Sequence, residues 1–545
     1  MKKSIPFMVV KWLITLVVIG GYYWLILPPI NLQSKDFWSF VTFIIIISVV
    51  INAFSQIIAF IKDNKHDSKV VGVPRIGLKS LTKPLKIAVF AILAIIVLSA
   101  AMSVIGSQIF NAKSYNRLIT LKDGDFTEDV AEISQEQIPV VDKDTAERLG
   151  QRKLGEISDL VSQFEIEEIY TQINYKGRPV RVTPLMYGDI IKWFNNQSEG
   201  IPAYITVDMT TQETKLVRLK EGIKYSDGEY FMRDLNRALR FKYPTKIFDN
   251  ISFEIDDNGT PYWVASVIDF KIGFWSGSDI DGVVLMNAQT GESEYYKVEE
   301  IPTWVDQVYD SEMILDQLIY NGKYRSGFFN SIFGQRGVLQ PTDGYNYLAM
   351  DDDVFLYTGM TSVTSDESNV GFVLTNLRTK ATKFYTIPGA EEYSAMSSAE
   401  GQVQHLNYTA TFPLLLNVSD RPTYFMSLKD AAGLVKMYAF VDVNQYQIVG
   451  TGGSVESAKK DYVSKLKTEN VNHDPDLQPS EIDGVIEKIN SAVVEGNTVY
   501  YIKLADNDTI FTVSVTKSDL LPFASKGQKV KISVSGNQIE TIEFK

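Results

Sequence analysis

Gly282-Val-Val-Leu-Met-Asn-Ala-Gln-Thr-Gly-Glu-Ser-Glu-Tyr-Tyr-Lys-Val298 reads as a β-hairpin. An apolar run is followed by Asn287, whose side chain can start an Asx turn, then by Thr290-Gly291 and a strand of alternating polarity. The same pattern recurs at Ala203–Leu219, at Gly371–Tyr385 and, more weakly, at Met437–Val449. Asp208, Asn287, Asn376 and Asp442 occupy the equivalent turn position. A unit that recurs every 65–90 residues predicts tandem modules rather than one large fold. Ser252–Val267, with Asp257-Asn258-Gly259 at its middle, adds a hairpin to the second module, and Asp189–Asn195 reads as a short helix before the first.

Outward toward the N-terminus the composition changes. Ile5–Leu27, Phe37–Ile61 and Ile87–Gly106 are apolar, and the second and third carry no charge. About 20 helical residues cross a bilayer core of about 30 Å, so each can span. Lys11 lies near one end of the first, where its stem can snorkel to the interface. Leu27-Pro28-Pro29-Ile30 lacks a small-x-small cleavage site, so the first run reads as a retained helix rather than a signal peptide.

The loop between the second and third runs carries Lys62, Lys65, Lys69, Arg75, Lys79 and Lys83, against Lys35 alone in the first loop. The positive-inside rule puts the N-terminus and this basic loop in the cytoplasm, and residues 107–545 outside it. Residues 1–106 hold 11 Lys/Arg against 3 Asp/Glu, a net +8, and the rest hold 42 against 63, a net −21. An acidic exported part is a poor match for nucleic acid, which is not expected as a partner.

The expected organisation is α+β: a membrane anchor of three transmembrane helices over 1–106, then a stalk and helix over 107–164. Modules of a helix plus antiparallel sheet follow over 165–250, 251–310, 311–400 and 401–472. Asp144 is the expected N-cap of the helix running to Phe164. His473–Pro479 opens a linker over 473–480. Residues 481–545 read as five strands, at Val485–Ile489, Thr498–Leu504, Thr509–Val515, Lys529–Val534 and Gln538–Phe544, with a helical turn over Ser518–Phe523. This order resembles an OB-type small β-barrel, in which Tyr500, Tyr501 and Phe511 would be the stacking candidates.

The absence of cysteine excludes disulfides, thiolate metal sites and cysteine nucleophiles. His66, His405 and His473 are the only histidines, and Gln404-His405-Leu406 reads as structural, in a strand-like run. Ser457-x-x-Lys460 fits a nucleophile motif but lacks its companion motifs. Asp351-Asp352-Asp353 reads first as the solvated start of a strand; the alternative is a calcium site using Asp351 and Asp353. The aromatic, glycine-rich stretch 320–347 is the expected partner-binding surface, through Tyr324, Arg325, Phe328, Phe329, Arg336, Tyr345 and Tyr347.

The hairpin motif, closest at Asn287-Ala-Gln-Thr-Gly-Glu292 after Pro261-Tyr-Trp-Val264, resembles the PepSY-type modules of bacterial exported proteins. The whole chain is similar to multi-pass membrane proteins of Gram-positive bacteria. The first resemblance implies intramolecular inhibition or protein–protein contact rather than catalysis. The expectation is a non-enzymatic, membrane-anchored scaffold or interaction protein of the cell envelope, touching lipid through residues 5–106. Its partners would be other envelope proteins or cell-wall polymer, with no cofactor apart from the calcium alternative. The competing readings are a subunit of a membrane transport, secretion or signalling complex, and a wall-acting hydrolase.

Overall fold

The computed structural model describes residues 7–63, 83–132, 138–363, 365–471, 480–494, 497–505, 507, 509–535 and 537–545. Most of the basic loop 62–86 and nearly all of the linker 473–480 lie outside them. The chain forms two compact units, residues 1–436 with 442–446, and 437–441 with 447–545.

The first unit begins with α1 (Phe7–Ile26), α2 (Lys35–Asp63) and α3 (Lys83–Ile105), three helices long and apolar enough to cross a membrane. Lys11 does not simply reach for an interface: its ammonium donates to the Asn52 side chain of α2. An ammonium on an apolar helix needs an acceptor, and Asn52 provides one within the chain. Tyr22 stacks on Phe43 at 3.9 Å, pairing α1 with α2.

The remainder of this unit is built on mainly antiparallel sheets. The first has Arg178–Tyr187 at its centre, pairing with Phe164–Ile166, Thr171–Tyr175 and Ile201–Asp208, which in turn pairs with Thr214–Ile223. The second is a meander of Phe248–Ile255, Pro261–Ile272, Ser276–Asn287 and Ser293–Lys297. The third is built on Asp353–Ser362 and Ser365–Asn376. The fourth module contributes Thr409–Ala410 and Leu414–Val418, both paired with Arg421–Lys429.

The hairpin turns are alike in three copies. The Asp208, Asn287 and Asn376 side chains each accept from the backbone N–H groups two and three residues on. The threonine hydroxyl three residues on then accepts from the N–H two further along, at Glu213, Glu292 and Ala381. The residue after that threonine has positive φ, at Gln212 (63°), Gly291 (73°) and Lys380 (61°). The Thr-Gly of the second copy is thus the unstrained form of a turn that Gln212 and Lys380 adopt at some cost. In the fourth copy Asp442 accepts both from Arg421 and from the N–H of Gln445, so the turn differs.

The described residues of 107–142 form no stalk. The helix α4 (Gln108–Asn116) packs against Ser311–Lys323, and Leu121–Asp123 pairs in parallel with Thr382–Tyr385. Val130, Ile138, Val140 and Val141 are buried. Asn417 donates to the Val130 carbonyl and Ser427 to that of Val140. Val130 and Val140 answer to different, distant strands, so no single period runs through the segment. The next helix is Lys143–Gly155, capped by Asp142 rather than Asp144, since it is the Asp142 carboxylate that accepts from Thr145 N–H. His405 lies on an exposed 3-10 turn, not a strand.

In the second unit, Tyr438–Val441 pairs with Val449–Gly452, and Tyr462 of the helix Val455–Val471 stacks on Phe440. Ser457 Oγ is engaged with Ser454 in that helix's first turn. The last five strands, Ser480–Val494, Asn497–Leu504, Ile510–Ser514, Lys529–Ser535 and Gln538–Phe544, lie within a few residues of their predicted positions. The first of them pairs with both the second and the fourth. Phe511 is buried with Ile502, Val513 and Ile532, so it serves the core and not a stacking surface.

Replacing Gln212 with glycine relieves its left-handed backbone without removing a side-chain partner. Gln212→Gly is expected to raise stability by about 0.5–1 kcal/mol in chemical denaturation of the full chain in detergent. The same change at Lys380 is expected to lower it, because Lys380 donates to the Leu118 carbonyl and pairs with Asp279.

Candidate functional site

Residues from all four modules line one cleft of about 590 Å³. Tyr170, Gln172, Arg181 and Asn250 come from the first module, Ser252 from the second, Tyr345, Asn346 and Tyr347 from the third, and Thr411 and Phe412 from the fourth. A smaller adjoining recess shares Asp142, Arg181, Asn346, Tyr347, Thr411 and Phe412.

Arg181 is the chemically distinctive member. It sits on the central strand of the first sheet and is 7% exposed. One guanidinium nitrogen donates to the Tyr170 carbonyl at 2.9 Å and another to Gln172 Oε1 at 3.3 Å. Both acceptors are neutral, and its Nε meets no acceptor among the described residues. Burial therefore pulls its protonation downward, against the pull of Tyr347, Asp142 and Glu147. The nearby Asp142 carboxylate is engaged by Lys429 and by Thr145 N–H. A buried guanidinium with neutral acceptors and a spare N–H favours a carboxylate, phosphate or carbonyl oxygen brought into the cleft. Tyr347 stands beside it, its hydroxyl sharing a hydrogen bond with Ser311 Oγ and its ionisation suppressed by burial.

The cleft's back wall is held by a buried acid pair. Glu254 accepts from Ser252 Oγ at 2.9 Å and from the backbone N–H groups of Asp306 and Gln307 at 2.8 and 3.0 Å. Asp306 accepts from Asn174 N–H at 2.6 Å, and the Gln307 side chain donates to the Gln172 carbonyl. Burial pushes the Glu254 carboxyl up to about 7, and burial together with Glu254 raises that of Asp306.

The sequence-expected site residues divide three ways. Tyr345 and Tyr347 reach the cleft. Tyr324 is core: its hydroxyl bonds Gln108 of α4, and its ring lies near those of Tyr115, Tyr320 and Phe328. Phe329, Arg325 and Arg336 are exposed, away from the residues lining the cleft. Arg181, Tyr170 and Phe412 were not anticipated. An arginine between two valines, Val180-Arg181-Val182, is the one sequence signal that could have found it.

The triple-aspartate run is a hairpin turn with an ion pair. Asp351 and Asp352 both have positive φ between the paired residues Met350 and Asp353, as a two-residue hairpin loop requires. The Asp353 carboxylate is engaged within the chain. It takes both nitrogens of the Arg378 fork, at 2.6 and 2.7 Å, and the Asn376 amide at 2.8 Å. Among the described residues no group of three or more His, Asp or Glu is placed to hold a metal ion.

No protein-family model matches the chain, and no curated protein does. Among solved structures, a mutant of B. megaterium levansucrase is 10% identical over 79% of this chain and 96% of that one, at a TM-score of 0.16. The dihydro-heme d1 dehydrogenase NirN is 8% identical over 68% of this chain and 49% of that one, at 0.11. Scores this low do not establish a shared fold.

Arg378→Met strands the largely buried Asp353 carboxylate and is expected to cost about 3 kcal/mol, much of it recovered in Arg378→Met with Asp353→Leu, measured by a denaturation double-mutant cycle. For Glu254 the folded chain holds a proton that the unfolded chain releases near its ordinary value of 4.5. The site therefore subtracts stability as pH rises from about 4.5 through about 7. Denaturation midpoints across this range are expected to fall with pH, and to fall less in Glu254→Gln.

Proposed function

We propose that this chain is a membrane-anchored, extracytoplasmic scaffold of the cell envelope, non-enzymatic, that holds an anionic group of an envelope partner in the four-module cleft. The observation that carries the reading is Arg181, a buried cation with only neutral acceptors at the meeting point of the four modules. The partner is an acidic protein segment or an anionic cell-wall polymer. The three apolar helices supply the anchor, with the N-terminus and the basic loop on the cytoplasmic side by the Lys/Arg asymmetry. The Asx-turn hairpins support the likeness to PepSY-type modules, which in that family serve protein contact. The strand order of residues 480–544, with the first strand pairing two others, supports an OB-like small barrel.

The test places a photo-crosslinking side chain at Tyr345, at the cleft's mouth, in intact cells and identifies products by mass spectrometry. Arg181→Met, which keeps the side chain's bulk, is expected to lower the yield about tenfold or more, the effect of losing a charged hydrogen bond. Crosslinks to a partner that are indifferent to Arg181→Met, in a variant of unchanged melting behaviour, would sink the reading.

A further inference from the structure

Exposed large apolar side chains in the first unit, outside α1–α3, gather at two places, while others such as Leu434 and Leu406 stand singly. The first group is Ile190, Ile191 and Phe194 on one short helix, with Phe231 and Met232. Phe194 and Ile191 are each 70% exposed. Trp193 joins the two parts, its ring 5.9 Å from that of Phe231. Phe231 is held at φ +55°, a conformation that costs a bulky residue about 1–2 kcal/mol.

This group is tied directly to the end of α1. Arg237 donates to the Phe231 carbonyl, and its guanidinium lies 4.5 Å over the ring of Trp24, two residues before α1 ends. Phe241, on the same helix as Arg237, packs against Tyr23 and Trp24. Arg240 donates to the Leu27 carbonyl, and Ile30 N–H to that of Pro244. The helix Leu235–Lys242 thus rests on the aromatic end of α1.

The second group is tied to the end of α3. Only two residues separate α3 from α4, which presents Ile109 and Phe110, the latter 70% exposed. Gln108 of α4 bonds Tyr324, whose ring stacks on Phe328. Phe329, Ile332 and Phe333 follow, and Phe333 is 82% exposed. Arg325 and Arg336 are exposed in the same stretch. Between the two groups in sequence, Trp275 at a hairpin turn joins Trp38, Phe43 and Ile46 of α2 and Ile95 and Ser99 of α3 in lining one groove.

We infer that these groups form an interfacial lipid surface, which seats the underside of the extramembrane body in the leaflet at the Ile26 and Ile105 ends of the helices. The occupant is membrane lipid because the groups continue the apolar helices themselves. Tyr23 and Trp24 mark the interfacial level, and arginines beside aromatic side chains suit the boundary between headgroups and acyl chains. Apolar faces of this kind enter that boundary by about 5–10 Å. The inference rests on the reading of α1–α3 as membrane spans, and goes beyond it by giving the body a second hold on the bilayer. The cleft is then presented at a set height and orientation rather than on a flexible tether.

The chain has no cysteine, so single-cysteine labelling is clean. Phe194→Cys, Phe231→Cys and Phe333→Cys, with Leu434→Cys as the solvent control and Val97→Cys in α3 as the membrane control, carry a fluorophore in the full chain. The chains are reconstituted in vesicles of phosphatidylcholine and phosphatidylglycerol. Quenching by a lipid-borne group near the headgroup end is compared with quenching by iodide. Labels in the two groups are expected to be quenched by the lipid-borne group and protected from iodide several-fold relative to Leu434→Cys. Behaviour matching Leu434→Cys would overturn the inference, as would protection from both quenchers, which would indicate a protein partner. A Val97→Cys label untouched by a second quencher carried at the middle of the acyl chains would overturn the span reading itself, so the two failures are distinguishable. Each variant is first checked for the melting behaviour of the unlabelled chain.

Discussion

The arrangement of the modules depends on a carboxylate that has no water to fall back on. Glu254, fully buried in the second sheet, takes its donors from its own strand and from the connection that carries Asp306 and Gln307. That connection reaches back to the first sheet at Asn174 and Gln172, and forward to the third, where Tyr309 N–H meets the Leu377 carbonyl. A buried acid tolerates few geometries, because each missing donor leaves a desolvated oxygen. The same device recurs. Glu229 accepts from Tyr187 and Trp193, and Glu392 from Tyr357 and Asn369. Asn369 also meets the Tyr424 hydroxyl of the fourth module. Asp306, accepting from Asn174, ties the second module to the first, while Glu229 and Glu392 fix their partners within the first and third modules.

This has a consequence for the cleft. Its walls combine strand residues such as Arg181, Asn346 and Tyr347 with connecting segments such as Glu168–Tyr170 and Thr411–Phe412. Ser252 and Gln307 serve both Glu254 and the cleft surface. Arg181 is fixed on a central strand with its neighbours on both sides paired. A preorganised cation loses little freedom when an anion arrives, which suits recognition more than adaptation. Arg237 and Arg240 likewise hold the helix Leu235–Lys242 against the last turn of α1.

Much of the local structure was legible because it is encoded locally. The three apolar helices follow from run length. The hairpins follow from an Asx residue with threonine three positions on, and the last five strands from alternation between turns. What was not legible has a common cause. Asp353 looked like part of an acidic cluster, yet its partner Arg378 lies 25 residues away across a hairpin. Tyr324 and Phe328 looked like neighbours of Phe329 and Tyr347. The α4 helix, some 200 residues earlier, claims the first two for the core. The segment 107–142 looked like a stalk because its buried residues answer to no single element.

By itself the sequence determined the three spanning candidates, the recurring hairpin and its turn chemistry, the absence of thiol chemistry and the separation of a basic front from an acidic body. Each of these rests on interactions within a few residues or on bulk partition between water and lipid. Only the tertiary structure decided which acids are buried, which aromatics are core and which are exposed, and that Arg181 stands at a cleft with neutral acceptors. Those outcomes depend on groups brought together from hundreds of residues apart, and a side chain's burial and charge state are properties of that assembly.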